Sequence, residues 1–94
     1  MRTLVWGRSF KRAVKHRLKR RPDLKEKIES VLFKLADDPF DPTLRTHKLK
    51  GELADSWACT VEYDCRIVFN FEINPNSGEE EIVLSDIGKH DEVY

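Results

Sequence analysis

The sequence predicts an α+β domain in which two N-terminal antiparallel helices pack on a mainly antiparallel four-stranded sheet, in the order βααβββ. Three observations lead to this fold class. Apolar residues recur at helical spacing between residues 10 and 35, and after residue 56 they alternate with polar residues, as in half-buried strands. A length of 94 residues without linker or repeat fits a single domain spanning residues 1–94.

The N-terminal half is predicted to form a short strand and two helices. Residues 3–6 are strand formers, and Ser9 is a suitable N-cap for the first helix. Pro22 fits the first turn of the second helix, which we expect to end before Pro39 because a residue preceding proline avoids the helical conformation. The apolar positions at helical spacing are Phe10, Ala13, Val14 and Leu18 in the first helix, and Leu24, Ile28, Val31, Leu32 and Leu35 in the second.

The C-terminal half is predicted to form three strands. Polar and apolar side chains alternate in residues 57–63 and again in 66–72, with a reversal at 62–65. The Asn-Pro-Asn-Ser-Gly run at 74–78 is a turn, and residues 82–87 form the last strand. Connections of hairpin length favour antiparallel pairing.

Charge is divided unevenly along a chain whose net charge is zero. Residues 1–50 contain 15 lysines and arginines against 6 acidic residues (+9), and residues 51–94 contain 2 against 11 (−9). Because the halves fold together, we expect two faces of opposite sign, of which the basic face attracts polyanions. The first helix carries much of this basic charge, either as a binding face or as a solvated surface.

Several classes of protein are excluded by composition. The sequence has no apolar run of about 18 residues for a membrane span, and its N-terminus lacks a secretory signal. Two cysteines, Cys59 and Cys65, suit reduced thiols in the cytoplasm better than a disulfide framework or a zinc site. Since phosphate-binding glycine loops, serine nucleophile elbows and HExxH motifs are also missing, we expect neither a metal nor another cofactor.

His47, His90 and Arg66 are the candidate chemical groups. Metal-free RNA cleavage needs a base for the 2′-hydroxyl, an acid for the leaving 5′-oxygen and a cation for the phosphorane charge. Two histidines suit the first two roles near neutral pH, and the arginine fork suits the third. Taken singly, each histidine also fits an ordinary surface position, and Arg66 also fits a salt bridge to Asp64.

Three segments together resemble the RelE/ParE toxin superfamily, and within it the YafQ-like and RelE/StbE-type toxins. They are RTHKLKG at residues 45–51, residues 57–69 with YDCRIVF at their centre, and IGKHDEVY at 87–94. Their order and spacing agree with the family along essentially the whole chain. Two positions depart from the YafQ pattern, with Thr60 in place of a further histidine and Cys65 in place of a tryptophan.

The resemblance implies a toxin of a type II toxin–antitoxin system that cuts messenger RNA in the ribosomal A site and is held inactive by a cognate antitoxin in a hetero-oligomer. It assigns catalytic roles to His47, Asp64, Arg66 and His90, without deciding which histidine is the acid. It also implies RNA contacts by a second set of residues, which are Arg45, Lys48, Lys50, Lys89 and Tyr94.

Two other functions fit the same fold. One is a ParE-type toxin, which binds DNA gyrase and needs no histidine pair. The other is a degenerate toxin fold that only binds its antitoxin. Likeness of fold alone does not separate these alternatives from an endonuclease.

Overall fold

A computed structural model describes residues 1–89, in which two helices cover one face of a five-stranded sheet of order β1-β5-β4-β3-β2. The elements are β1 (Thr3–Trp6), α1 (Arg8–Arg20), α2 (Lys25–Asp37), β2 (His47–Lys48), β3 (Trp57–Glu62), β4 (Cys65–Ile73) and β5 (Glu80–Gly88). The neighbours among β2, β3, β4 and β5 are antiparallel, and β1 joins β5 in parallel. The predicted α+β fold is confirmed.

The sheet has one strand more than predicted. The additional strand is β2, whose two residues pair with β3 as His47↔Ala58 and Lys48↔Trp57. A two-residue strand is too short to show alternation, so only its pairing partner defines it.

The helices follow the predicted apolar positions, with one correction at the start of α1. The helix begins at Arg8 with Gly7 at the N-cap, so the assignment of Ser9 as the cap is wrong. The Ser9 hydroxyl instead donates a hydrogen bond of 2.7 Å to the Ser85 carbonyl oxygen of β5. Pro22 opens a short 3₁₀ turn (Pro22–Leu24) that leads into α2, which ends at Asp37 as expected.

The main core lies between the helices and one face of the sheet. Phe10, Leu35 and Phe69 are fully buried there, and Cys59 and Cys65 are free thiols in the same cluster. Burial raises the pKa of Cys59 to about 12 and that of Cys65 to about 11, so both stay protonated near neutral pH. Within residues 1–89, the other face carries a much smaller cluster of Leu49, Ala58 and Val68, and we call it the open face.

Two β-bulges interrupt the alternation of the central strands. One extra residue, Val61, lies in β3 between the pairs Thr60↔Arg66 and Glu62↔Cys65. The other, Ser85, lies in β5 between the pairs made by Leu84 and Asp86 with β4. Since a one-residue shift changes the face to which a side chain points, these bulges set which residues meet near the ends of the strands.

No helix within residues 1–89 is long and apolar enough to cross a membrane.

Candidate active site on the open sheet face

A cavity of about 520 Å³ on the open face of the sheet brings together two of the predicted catalytic residues, His47 and Arg66. We call it the site cavity, and its lining residues are Arg45, His47, Thr60, Tyr63 and Arg66. These come from the loop before β2, from β2, from the end of β3, from the β3–β4 turn and from the start of β4.

Strand pairing explains why His47 and Arg66 meet. Thr60 pairs directly with Arg66, and His47 pairs with Ala58, two residues from Thr60 along β3. Residues two apart on a strand share a face, and paired residues lie side by side. Since Cys59 and Ile67 point into the helix-covered core, their neighbours Thr60 and Arg66 point to the open face.

The loop before β2 is held by its own hydrogen bonds. Asp41 Oδ1 accepts from the backbone nitrogen of Thr43 at 2.8 Å and from its hydroxyl at 2.6 Å, capping the 3₁₀ turn Pro42–Leu44. The Thr46 hydroxyl donates to the Pro39 carbonyl oxygen, which closes the loop on itself. Arg45 follows the turn with a φ of +52°, a left-handed conformation that few non-glycine residues adopt.

The His47 ring is oriented by a backbone carbonyl. Its Nδ1 lies 3.0 Å from the Arg45 carbonyl oxygen, which can only accept a hydrogen bond. Nδ1 therefore carries the hydrogen in the neutral ring, and Nε2 is the nitrogen that can accept a proton. The left-handed residue Arg45 thus contributes both a side chain to the site cavity and the carbonyl that orients its histidine.

Arg66 is the most enclosed cation of the site cavity. Its Nε and Nη1 atoms are buried, although the residue also lines the cavity. Gly88 of β5 pairs with Arg66 on the side away from Thr60 and presents no side chain beside the guanidinium. A partly buried guanidinium attracts a phosphate more strongly than one in bulk water, because screening is weaker.

A second concave surface of about 710 Å³, which we call the helix groove, lies between α1, the β3–β4 turn and the end of β5. Its lining residues are Ser9, Arg12, Ala13, His16, Arg17, Arg20, Arg21, Asp64, Asp86, Ile87 and Lys89. Tyr63 and Asp64 are adjacent in the β3–β4 turn, yet the first lines the site cavity and the second lines the helix groove. The turn therefore forms the ridge between the two surfaces.

The structure gathers some of the predicted site residues and separates others. His47, Arg66 and Arg45 share the site cavity, whereas Asp64 and Lys89 line the helix groove. Lys48 and Lys50 are exposed, and Lys48 pairs with Trp57, so it points to the opposite sheet face from His47. His90 and Tyr94 lie outside the described residues, so their proposed roles stay predictions.

Sequence reasoning did not assign Thr60 and Tyr63 to the site. Alternation along the strand places Thr60 on the other sheet face from Cys59. A local signal for the face of Thr60 was therefore present in the sequence. The signal for Tyr63 is weaker: a large aromatic residue stands in a turn where small polar residues are usual.

The α+β topology and the position of His47 and Arg66 on one sheet face agree with the toxin class that the sequence resembles. Residues 2–94 match the family described as "Bacterial toxin of type II toxin-antitoxin system, YafQ". The chain belongs to this family and is a type II toxin with a RelE/YafQ-like fold.

Solved structures agree with this assignment in fold. The crystal structure of YafQ from E. coli strain BL21(DE3) gives a TM-score of 0.79 at 17% identity, covering 100% of this chain and 99% of that one. A metal-bound toxin from Helicobacter pylori gives 0.75 at 26% identity, with both chains covered completely at 100%. The E. coli DinJ-YafQ toxin-antitoxin complex gives 0.77 at 17% identity, covering 99% of this chain and 97% of that one. No curated protein matches the chain.

Proposed function

We propose that this toxin is a ribosome-dependent messenger-RNA endonuclease that uses acid–base chemistry of its own side chains. The observation that carries the proposal is that His47 and Arg66 line one cavity. A proton acceptor and a partly buried cation at one site are two of the three groups that attack by a ribose 2′-hydroxyl requires.

In the proposed reaction, His47 Nε2 accepts the 2′-hydroxyl proton as the 2′-oxygen attacks the adjacent phosphorus. The bond from phosphorus to the 5′-oxygen breaks, and that oxygen takes a proton from a general acid. The products are a 2′,3′-cyclic phosphate and a 5′-hydroxyl. The hydrogen bond from His47 Nδ1 to the Arg45 carbonyl supports the base role, because it leaves Nε2 as the acceptor.

Arg66 is proposed to stabilise the charge that develops on the phosphorane oxygens, with Arg45 holding the neighbouring phosphate. The general acid is proposed to be His90, on the strength of the family resemblance; it follows Gly88, the β5 residue that pairs with Arg66, by two positions in the sequence. Asp64 is proposed to act from the far side of the ridge by shaping the turn rather than by touching the phosphate, because it lines the helix groove.

The open character of the site within residues 1–89 supports dependence on the ribosome. The cavity lies on the less covered face of the sheet and is bordered by a turn, so this part of the chain encloses little of a substrate. Holding a flexible RNA strand in line for attack is worth roughly 7–11 kcal/mol in well-oriented reactions, and we assign that contribution to the ribosome. The second proposed partner is a cognate antitoxin, supported by the complex that the E. coli relative forms with DinJ.

The test is primer extension on messenger RNA programmed into ribosomes, comparing the wild type with His47→Gln and Arg66→Lys. We expect each variant to cut about 10²- to 10⁴-fold more slowly while remaining folded. His16→Gln is the matched control, because His16 lies in the helix groove, and it should cut normally. Undiminished cutting by both site variants would overturn the proposed roles.

Two further measurements address the other functions. Wild-type protein should cut free RNA far more slowly than ribosome-bound RNA, and it should leave DNA supercoiling by gyrase unaffected. Inhibition of gyrase without RNA cleavage would replace the endonuclease by a ParE-type function, and expression without growth arrest would indicate a fold that only binds its antitoxin.

A further inference from the structure

Tyr63 is the most exposed large apolar side chain among those of residues 1–89. Its relative exposure is 96%, against 80% for Met1 and 66% for Phe33. A side chain this exposed contributes nothing to the core, so folding does not account for an aromatic ring at this position.

The turn does not require a tyrosine either. Tyr63 and Asp64 form the turn between β3 and β4, where glycine, asparagine and aspartate are the usual residues. Tyr63 has no left-handed φ, since Arg45 is the one non-glycine residue with positive φ within the described chain. Neither packing nor backbone geometry therefore selects the ring, and its exposure makes it available for contact with a ligand.

The position of the ring defines that ligand. Tyr63 borders a cavity whose other walls include the cations Arg45 and Arg66 and the imidazole of His47. A site that combines cations with an exposed aromatic rim matches single-stranded nucleic acid, in which phosphates bind the cations and unstacked bases stack on aromatic rings. The cavity volume of about 520 Å³ lies within the range typical of small-ligand pockets, roughly 300–1,000 Å³.

We propose that Tyr63 is a substrate-binding residue, whose ring stacks on the base of a nucleotide adjoining the phosphate that Arg45 and Arg66 hold. This inference rests on the proposed function and deepens it, because it names the group that holds the base. Stacking accepts every base, so Tyr63 adds affinity and orientation without a strong base preference.

The first test measures binding without cleavage. The probe is a short, fluorescently labelled single-stranded RNA with 2′-O-methyl riboses, which blocks the attacking oxygen, and the readout is anisotropy at low salt. Replacing Tyr63 by alanine or leucine should weaken binding roughly 5- to 150-fold, as for loss of one base–aromatic stack, whereas Tyr63→Phe should bind like the wild type. Phe33→Ala is the matched control, because Phe33 is an exposed aromatic residue of α2 outside the site cavity.

The second test locates the contact on the ribosome. Messenger RNA carrying 5-iodouridine at the A site should cross-link to Tyr63 on irradiation, and the adduct should be found by mass spectrometry. The inference is overturned if Tyr63→Ala binds the methylated RNA as the wild type does, or if it weakens only binding of the antitoxin. Cleavage is not needed for either readout, so a wild type that binds through Tyr63 but does not cut would refute the proposed function and leave the stacking role intact.

Discussion

At the scale of single residues, Arg45 combines two requirements that conflict. The site cavity uses the charged side chain of Arg45, whereas its left-handed backbone favours glycine. Its side chain lines the site cavity, and its backbone carbonyl orients His47. The backbone does so with a φ of +52°, which costs a residue with a Cβ about 1–2 kcal/mol. Strain of this kind persists where the surrounding structure imposes it, and it often marks a functional position.

Substitution can separate the two requirements. In Arg45→Gly the left-handed backbone is no longer strained, so we expect the free energy of unfolding to stay equal to the wild-type value or to rise by up to about 1 kcal/mol. Cleavage of ribosome-bound RNA should fall about tenfold, because a phosphate contact is lost. Urea denaturation and primer extension measure the two effects. Arg45→Asn is the control that tolerates the same φ with a side chain present, and full activity of both variants would show that the Arg45 charge has no part in cleavage.

At the scale of elements, the loop between α2 and β2 positions Arg45 and His47 at the site cavity. Its cap is Asp41, whose carboxylate accepts two hydrogen bonds from Thr43. The pKa of Asp41 lies below its ordinary value of 3.8. The larger cause is the hydrogen bond from the Thr43 side chain, and the smaller one is the hydrogen bond from the Thr43 backbone. The ionised carboxylate therefore stabilises the turn that leads to Arg45 and His47.

Removing this cap should loosen the loop before it affects the core. We expect Asp41→Ala to lower the melting temperature by about 2–6 °C and to slow cleavage, because His47 is no longer held in place.

The folded-state pKa of Asp41 lies below the unfolded one, so its contribution is present above about pH 4 and is lost as the pH falls through the folded value. Thermal unfolding of wild type and Asp41→Asn at pH 7 and pH 3 checks this, since the difference between them should shrink at pH 3. A difference that does not change with pH would contradict the role of the charge.

The elements also show how far a sequence predicts such a fold. Both helices, the β3–β4 turn and the face of Arg66 follow from periodicity, which is a local property. The strand β2 and the bulge at Ser85 were not predictable in this way, because each is defined by a distant strand: β3 for β2, and β4 for the register shift at Ser85. The position of Asp64 on the helix groove was likewise not predictable from alternation, because it depends on how the β3–β4 turn folds.

At the scale of the whole molecule, the two ends of the described chain meet beside each other in the sheet. β1 lies parallel to β5, and the backbone nitrogen of Gly7 donates to the Leu84 carbonyl oxygen at 3.0 Å. The next residue of β5, Ser85, forms the bulge that places Gly88 opposite Arg66. The junction of β1 with α1 is thus connected, through residues 84–88 of β5, to the arginine of the site cavity.

Gly7 is required at this junction by lack of space rather than by its φ of −64°. A Cβ at this position would lie 2.7 Å from the Leu84 carbonyl oxygen, a backbone atom that cannot turn aside, so either β1 or β5 would have to move. We expect Gly7→Ala to lower the free energy of unfolding by about 1–3 kcal/mol, as overpacking of a tight contact does. Urea denaturation measures this change, and amide hydrogen exchange should show that protection in β1 falls first.

Gly78→Ala is the comparison. The φ of Gly78 is +75°, which is strained for alanine, but nothing lies within 4 Å of the added carbon, so only local turn strain is expected there. If Gly7→Ala were as stable as the wild type, with β1 equally protected, the close approach of β1 to β5 would not be a constraint on the fold.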